Sequence, residues 1–372
     1  MKRIISLILT IAMACTTLTG CSPKYEKFSG AIWEGAFNTV IQVITYQQSQ
    51  EDFDRFYRTL EEEFIRYHQL YDIYNEYSGM NNICTVNRNA GKQPVKVDKE
   101  IIDLLLFSKE WHEKSGGRLN VAMGSVLKVW HDLREEYDRW QDDVLYDYGD
   151  PDACPVQLPD MALLQEKAQH TDIDCVEIDT ENMTVFITDE NVQLDVGGIA
   201  KGYATECIAD LLAEKYDNFI ISAGGNVRCH GRPKDGRRRW GVGIENPAVD
   251  ENWQMIGGNI DMAYYNTDMS LVCSGGYQRY MVIDGQRYHH IIDPSTLYPE
   301  EVYLGVSILC EDSGMADALS TTLFLMQPAE AMAFVEAMDG VDCILVETDG
   351  TTHISSGASA YLGSRGVTNR TK

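Results

Sequence analysis

Asp317 and Thr321 in "MADALSTTLF" stand at i and i+4, so on a helix their side-chain oxygens share one face and can hold a hard cation together. Ala, Leu, Phe and Met surround them, which predicts a buried aspartate that must be paired or metal-bound. A second candidate is "LDVGGIAKGYATECIADLL", residues 194–212. There a strand is expected to end at Asp195, Gly197 and Gly198 turn the chain, and a helix begins that carries Lys201. Glycine lets a ligand approach the backbone and the N–H groups of a helix start attract phosphate, although the same pattern also serves as an ordinary tight turn. No Gly-x-x-x-x-Gly-Lys-Ser/Thr loop accompanies it. "CSGGYQRY" sets Ser274 and Gly275 ahead of Tyr277, a hydroxyl and an aromatic face beside a permissive backbone. "RYHHIIDPSTLYP", residues 287–299, places His289 and His290 near Asp293 and Pro294, a group that titrates near neutral pH on a stiff loop. A loop histidine also commonly caps a turn through a backbone hydrogen bond, and on sequence alone both readings are open.

The elements that must position these residues follow from periodicity. "TVIQVITYQ" alternates like a half-buried strand, and "DFDRFYRTLEEEFIRYHQLYDIYN" has helical apolar spacing with its acids early. "KEIIDLLLFSKEWHEKSGG" reads as a helix stopped by Gly116 and Gly117. Residues 130–160 are acidic, aromatic and punctuated by proline, which predicts an excursion rather than a core element. "CVEIDTENMTVFITDENVQLDVGG" and "FIISAGGNVRCHG" read as hairpins, and "WGVGIENP", "LGVSILC" and "DCILVETDG" as further strands. Helices mixed with mostly hairpin-type strands give an α+β class, with mixed, largely antiparallel sheets and packed helices.

The chain has 372 residues, 44% of them hydrophobic, which suffices for one large core or two modest ones. Its formal net charge is −26, and a surface of that sign repels nucleic acid and anionic lipid headgroups. Met1-Lys2-Arg3, an apolar run from Ile4 to Ala14 and then Leu18-Thr19-Gly20-Cys21 form a charged start, a short hydrophobic stretch and a small-residue cleavage site. The last tetrapeptide resembles the bacterial lipobox. Residues 1–20 are therefore expected to be a lipoprotein signal peptide, Cys21 the lipidated first mature residue, 21–29 a tether and 30–372 the catalytic domain. The alternative is a plain secretory signal with an incidental cysteine. Acyl chains rather than basic residues would hold so acidic a protein on the extracytoplasmic face of a bacterial membrane. The cysteines from Cys84 to Cys343 show no Cys-x-x-Cys pair, and both disulfides and free buried thiols are compatible with their spacing.

In order along the chain, "LDVGGIAKGYA", "SAGGN", "VGIENP", "SGGYQRY", "HHIIDPST" and "ADALST" resemble the ApbE-type FAD:protein FMN transferases, from roughly residue 30 to the C-terminus. The resemblance implies an ApbE/T-fold-like architecture and an enzyme that takes FAD as substrate with Mg²⁺. Such an enzyme attaches the FMN moiety to a Ser or Thr hydroxyl of exported redox proteins and releases AMP. It implies acceptors with an Asp-x-x-Ser/Thr-Gly-Ala-Ser/Thr-like motif. By the same resemblance Phe37, Tyr74, Leu119, Asn120, Asp195, Lys201, Ser274, Gly275 and Ile292 match flavin- or FAD-contacting positions, and the Gly198 carbonyl, Asp317 and Thr321 match the metal ligands. Asn120 departs from the family's usual Asp, Leu297 from its Gly, and Ser320 from a second carboxylate found in some members.

Moving a phosphoryl group to a hydroxyl needs charge neutralised on the phosphates and an oriented nucleophile. His290 is expected to take the hydroxyl proton or orient the pyrophosphate, with Asp293 bracing its loop. Two rivals share many of these residues: a Mg²⁺-dependent FAD pyrophosphatase that releases FMN and AMP, and a flavin-binding lipoprotein without catalysis. The second has no use for an Asp317/Thr321 metal pair.

Overall fold

The computed structural model describes residues 24–145, 154–250, 255–265, 267–277 and 279–363. The expected signal peptide and Cys21 lie outside these residues. The strands, in chain order, are β1 (Glu26–Ile32), β2 (Ile41–Gln47), β3 (Val95–Lys96), β4 (Val176–Asp179), β5 (Thr184–Ile187), β6 (Asn218–Ala223), β7 (Asn226–Gly231), β8 (Trp240–Glu245), β9 (Asn259–Tyr265), β10 (Met269–Gly275), β11 (Tyr280–Ile283), β12 (Gln286–His289), β13 (Tyr303–Cys310), β14 (Asp342–Glu347) and β15 (Thr352–Ile354). The helices are α1 (Gln50–Tyr71), α2 (Ile83–Arg88), α3 (Lys99–Lys114), α4 (Gly124–Leu145), α5 (Met161–Lys167), α6 (Ala200–Ala213), α7 (Ser313–Phe324) and α8 (Pro328–Glu336). Strand β1 pairs with β2 from Glu26 onward, so residues 26–29 of the segment expected as a tether belong to the main sheet.

An antiparallel sheet in the order β1-β2-β6-β7-β10-β13-β14-β15 is the centre of the molecule, open at β1 and β15 and closing no barrel among the described residues. Both of its faces are covered, which is why β13, "YLGVSILC", reads as a continuous apolar run. Val306 and Ile308 point into one core with Phe56, Leu60 and Phe64 of α1, Ile208 and Leu212 of α6, and Leu319 and Leu323 of α7. Leu304 and Leu309 point the other way, onto the β8–β9 hairpin with Trp240, Val242 and Tyr265. Helix α1 forms as its spacing predicts: Ser49 caps it by accepting from the Asp52 N–H, and Phe56, Leu60, Phe64 and Tyr67 bury one stripe. Helix α3 ends where Gly116 and Gly117 take φ +63° and +86°.

The excursion expected over 130–160 is corrected by α4, which runs from Gly124 to Leu145. Its acids face water, Arg134 is part-buried, and Val126, Trp130 and Tyr137 pack with Met281, Tyr288, Ile292 and Leu297 in a separate small core. The eight described cysteines, Cys84 to Cys343, are all free.

One end of the main sheet gathers chain segments distant in sequence. The entry to β2, the Gly224-Gly225 turn between β6 and β7, the exit of β10 and the start of β13 all lie there, as the pairings Ile41↔Ala223, Val272↔Asn226 and Gly275↔Gly305 require. Gly224, at φ +51°, lets the turn close on Thr39; a Cβ there would lie 2.2 Å from the Thr39 hydroxyl.

Candidate active site

Helices α6 and α7 meet at this end of the sheet with almost no space between their backbones. The Gly202 N–H donates to Asp317 Oδ2 at 2.7 Å, and a Cβ on Gly202 would fall 2.3 Å from the Asp317 Cβ. Glu206, one turn further along α6, accepts from the Ser313 N–H at 2.6 Å and from the Arg228 guanidinium of β7 at 2.9 Å. Burial pushes the Glu206 carboxyl above its usual range even with Arg228 beside it. Asp312 caps α7 through the Met315 N–H at 2.8 Å. These bonds fix the rotation of α7 about its axis, and with it the direction of Asp317 and Thr321.

That rotation brings together the groups expected to hold a metal. Thr321 Oγ1 donates to the Gly198 carbonyl at 3.3 Å, and Asp317, 5% exposed, keeps Oδ1 without a hydrogen bond among the described residues. The set is made of oxygen donors only, with one carboxylate oxygen uncommitted, and it fits a hard divalent cation. Ser320 is fully buried; its hydroxyl donates to the Asp317 carbonyl at 2.8 Å and pairs with the Ser274 hydroxyl at 2.7 Å. It ties Ser274 and Gly275, at the β10 exit, to the helix that carries Asp317.

Asp195 does not end a strand, as expected from the sequence. The Asn87 side chain occupies both backbone groups of Leu194, donating to its carbonyl at 2.9 Å and accepting from its N–H at 2.7 Å, so no neighbouring strand is needed there. The Asp195 N–H bonds to the Val121 carbonyl at 2.8 Å, and its carboxylate accepts from the Gly197 N–H at 2.9 Å. Burial pushes this carboxyl above its usual range against the pull of the Gly197 N–H, His131 and Arg134. Lys201 sits part-buried in the first turn of α6.

In the opposing loop the two histidines divide their duties. His289, 4% exposed, donates from Nε2 to the Glu300 carbonyl and accepts the Ile291 N–H on Nδ1 at 3.1 Å, so both nitrogens are spent. Burial pushes it down to about 4. His290 bonds through Nδ1 to the Arg279 carbonyl at 3.2 Å; a carbonyl accepts only, so Nδ1 carries the proton and Nε2 keeps its lone pair. Burial, then His289, Arg279 and Arg134, push His290 down to about 3, so it is neutral at pH 7. Asp293 braces the loop without touching His290: Oδ1 accepts from Ser295 N–H at 2.6 Å and its carbonyl from Leu297 N–H at 2.7 Å. Leu297 holds φ +63°, the backbone that makes Gly usual at this position. Trp130 of α4 donates its indole N–H to the Leu297 carbonyl at 3.0 Å, and Ile292 is buried beside it.

Tyr74 is 52% exposed, its ring 4.9 Å from that of His131 on α4, at a cleft of about 280 Å³ also lined by Asn87, Lys128, Leu194 and Asp195. Its backbone is set by Asp72, which accepts the Tyr74 N–H at 2.7 Å. Phe37, at φ +51°, lies edge-on to His68 with centroids 5.8 Å apart. Leu119 is buried beside Gly198, its Cδ1 3.8 Å from where a Gly198 Cβ would stand. Asn120 donates to the Thr171 carbonyl at 2.8 Å and accepts the Ala122 N–H at 2.9 Å, a pair of bonds that an ionised Asp could not make. The sequence reading passed over Asn87, His131, Arg134 and Arg279. Only the i, i+3, i+7 spacing of Trp130, Leu133 and Tyr137 hinted at a helix that would present His131 and Arg134.

Residues 37–345 match the model of the ApbE family. An FAD:protein FMN transferase of Treponema pallidum (strain Nichols) is 30% identical over 352 residues, spanning 91% of this chain and 89% of the relative. Among solved structures, the ApbE protein of Thermotoga maritima superimposes with a TM-score of 0.73 at 27% identity, covering 91% of this chain and 99% of that one. The flavin transferase ApbE from Vibrio cholerae gives a TM-score of 0.72 at 22% identity over 91% of this chain and 100% of its own, a likeness that bears on the fold.

Proposed function

The chain belongs to the ApbE family, and from that premise we propose that it transfers the FMN moiety of FAD to a Ser or Thr hydroxyl of an exported protein, releasing AMP. One observation carries the reading. Ser274, Gly276 and Arg279 reach both halves of the site: Ser274 is bonded to Ser320 beside Asp317, Gly276 lies so close to His289 that a Cβ would fall 2.6 Å from its ring, and the Arg279 carbonyl holds His290. The helix that carries Asp317 and Thr321 and the imidazole of His290 are thus each tied by a hydrogen bond to the same short stretch of chain.

The transfer breaks the bond between the FMN phosphorus and the bridging oxygen of the diphosphate and forms a bond from that phosphorus to the acceptor oxygen. AMP leaves with the bridging oxygen, and the hydroxyl proton is given up. Mg²⁺, held by Asp317, Thr321 and the Gly198 carbonyl, would supply Lewis-acid neutralisation of the phosphate oxygens. His290 Nε2 orients the acceptor hydroxyl and accepts its proton; His289 and Asp293 keep the loop in place. Lys201 and the first N–H groups of α6 add positive potential at the phosphates. Tyr74, Phe37, Leu119, Asn120, Asp195 and Ile292 form the flavin side, with Asn120 acting through the backbone it holds. Cys21 is assigned the lipid that keeps the enzyme at the outer face of the membrane, where acceptors with an Asp-x-x-Ser/Thr-Gly-Ala-Ser/Thr-like motif would meet it.

Intact-mass measurement of a small acceptor carrying Asp-Gly-Ala-Thr-Gly-Ala-Thr, incubated with the protein, FAD and Mg²⁺, tests the reading. A gain of one FMN is expected, abolished by chelation and reduced on the order of a hundredfold or more in Asp317→Asn. Free FMN and AMP with an unmodified acceptor would replace transfer by hydrolysis.

A further inference from the structure

Residues 232–239, "RPKDGRRR", carry Arg232, Lys234, Arg237, Arg238 and Arg239, all of them exposed. In a chain of 372 residues with 31 lysines and arginines and a net charge of −26, a stretch of that length would hold fewer than one on average. The loop joins β7 to β8, and its frame is fixed at both ends and in the middle. The Gly231 N–H donates to Asp268 Oδ1 at 2.9 Å, the buried Trp240 donates its indole N–H to the His230 carbonyl at 3.2 Å, and Asp235 accepts from the Tyr46 hydroxyl at 2.6 Å. Lys234 and Arg237 are bonded to Asp217 and Asp235. Arg238 and Arg239 make no hydrogen bond or ion pair among the described residues, so their charge is turned outward.

The sheet register fixes which end of the molecule this is. Glu26 pairs with Gln47, Thr45 with Phe219 and Asn218 with Gly231, so the loop shares one end of the sheet with the point where the chain enters β1. Lys234 Nζ lies 5.5 Å from the centre of the Tyr25 ring, which ties that entry to the loop. Cys21 stands four residues ahead of Tyr25, a span of at most about 14 Å. Gly198 and Thr321 belong to the other end, with Ile41, Ala223 and Gly275, and the run of β2 from Ile41 to Gln47 puts about 20 Å between the two ends.

The charge of the whole chain argues against contact with anionic lipid, but charges further off than about 8 Å are largely screened at physiological ionic strength. What lies at this end therefore decides. Asp217, Asp235, Glu26 and Asp268, acids at the same end, are already bonded to Lys234, Arg237, Lys24 and His230.

We propose that the 232–239 loop is a membrane-docking face that binds the phosphates of anionic phospholipid headgroups and keeps the Asp317 end of the sheet pointing away from the bilayer. The inference rests on the lipid assigned to Cys21 for the position of the bilayer, and on the structure for the charge. Guanidinium groups take phosphate oxygens in pairs, which suits Arg238 and Arg239 to headgroups. An acceptor hydroxyl must then be presented about 20 Å or more above the headgroups, by a water-facing domain rather than a segment lying in the membrane surface.

Amide hydrogen exchange of the full mature protein, on vesicles of phosphatidylcholine alone and of phosphatidylcholine mixed with phosphatidylglycerol, tests the face. Exchange over 232–239 is expected to slow roughly fivefold or more on the anionic vesicles only, the factor that one basic side chain contributes at such a surface, and to recover in high salt. Arg238→Gln/Arg239→Gln should abolish the slowing with the thermal midpoint unchanged. Arg139→Gln, exposed on α4 beside the histidine loop, should keep it. Equal exchange on the two kinds of vesicle overturns the proposal, as does slowing that survives in the double variant. Slowing by an acceptor protein and not by vesicles overturns it too, and gives the loop to the acceptor. Intact mass separates this from the anchor: a loop protected on anionic vesicles in a protein without acyl chains keeps the docking face and removes the lipid from Cys21, whereas an acylated protein with an unprotected loop does the reverse.

Discussion

The Gly202 backbone N–H and the Asp317 carboxylate are joined at 2.7 Å across two helices, at a point where no side chain larger than hydrogen fits on Gly202. The bond does two things: it satisfies a donor in the first turn of α6, and it aims the second carboxylate oxygen away from the helix pair.

Gly202→Ala should therefore be damaging in spite of alanine's better helix propensity. The new methyl would meet the Asp317 Cβ at 2.3 Å and the Ser313 carbonyl at 2.5 Å, both fixed parts of α7. Forcing the helices apart is expected to cost about 2 kcal/mol or more, against a propensity gain of about 1. Thermal unfolding should show the loss and the acceptor assay a larger one; an Ala variant as stable as the parent would mean that the helices slide freely.

Acid should weaken the fold through the two histidines. In the native protein His289 and His290 are held down to about 4 and about 3, from an ordinary 6.5 that returns on unfolding. Below pH 6.5 the unfolded chain takes up protons that the native chain refuses, so the stability is complete above 6.5 and drains as pH falls toward 4 and then 3. The thermal midpoint is expected to drop between pH 6.5 and 4, with a shallower slope in His290→Gln. Equal slopes would show that the imidazole is freely solvated in the native state.

Leu297 gives an ordering rather than a single loss. Its φ of +63° suits glycine, but its side chain is 7% exposed and packs in the core with Trp130 and Ile292. Truncating it should cost about 2–5 kcal/mol, while relief of the left-handed backbone returns only about 1–2. Both Leu297→Gly and Leu297→Ala should be less stable than the parent, with Ala the worse by about 1 kcal/mol, since it loses nearly the same packing and keeps the backbone penalty. Chemical denaturation of the three proteins would settle the order.

Where local pattern decides structure, the sequence was legible. Helix α1, the Gly116-Gly117 stop and the run "LGVSILC" follow from spacing and turn chemistry. The Asp317/Thr321 pair could be placed because a helix fixes the geometry of i and i+4. The strand expected before Asp195 failed because a side chain, Asn87, supplies the bonds that a neighbouring strand would have supplied. Helix α4 was hidden by its own acids, which outnumber the few aromatics that bury it. Arg134 belongs to no motif, and Arg279, inside "SGGYQRY", meets His290 only once β11 and β12 pair.

The pairing of Gly202 with Asp317 spans 115 residues, and that of Gly198 with Thr321 spans 123. Strand β2 likewise waits for β6, whose Asn218 carbonyl accepts from Thr45 across 173 residues. A chain made from its N-terminus therefore holds Tyr74, Asp195 and Lys201 long before it holds anything for them to work with. Because closure of such distant contacts comes late and slowly in folding, a chain ending ahead of α7 would lack Asp317 and Thr321, and with them the oxygen donors that face the Gly198 carbonyl.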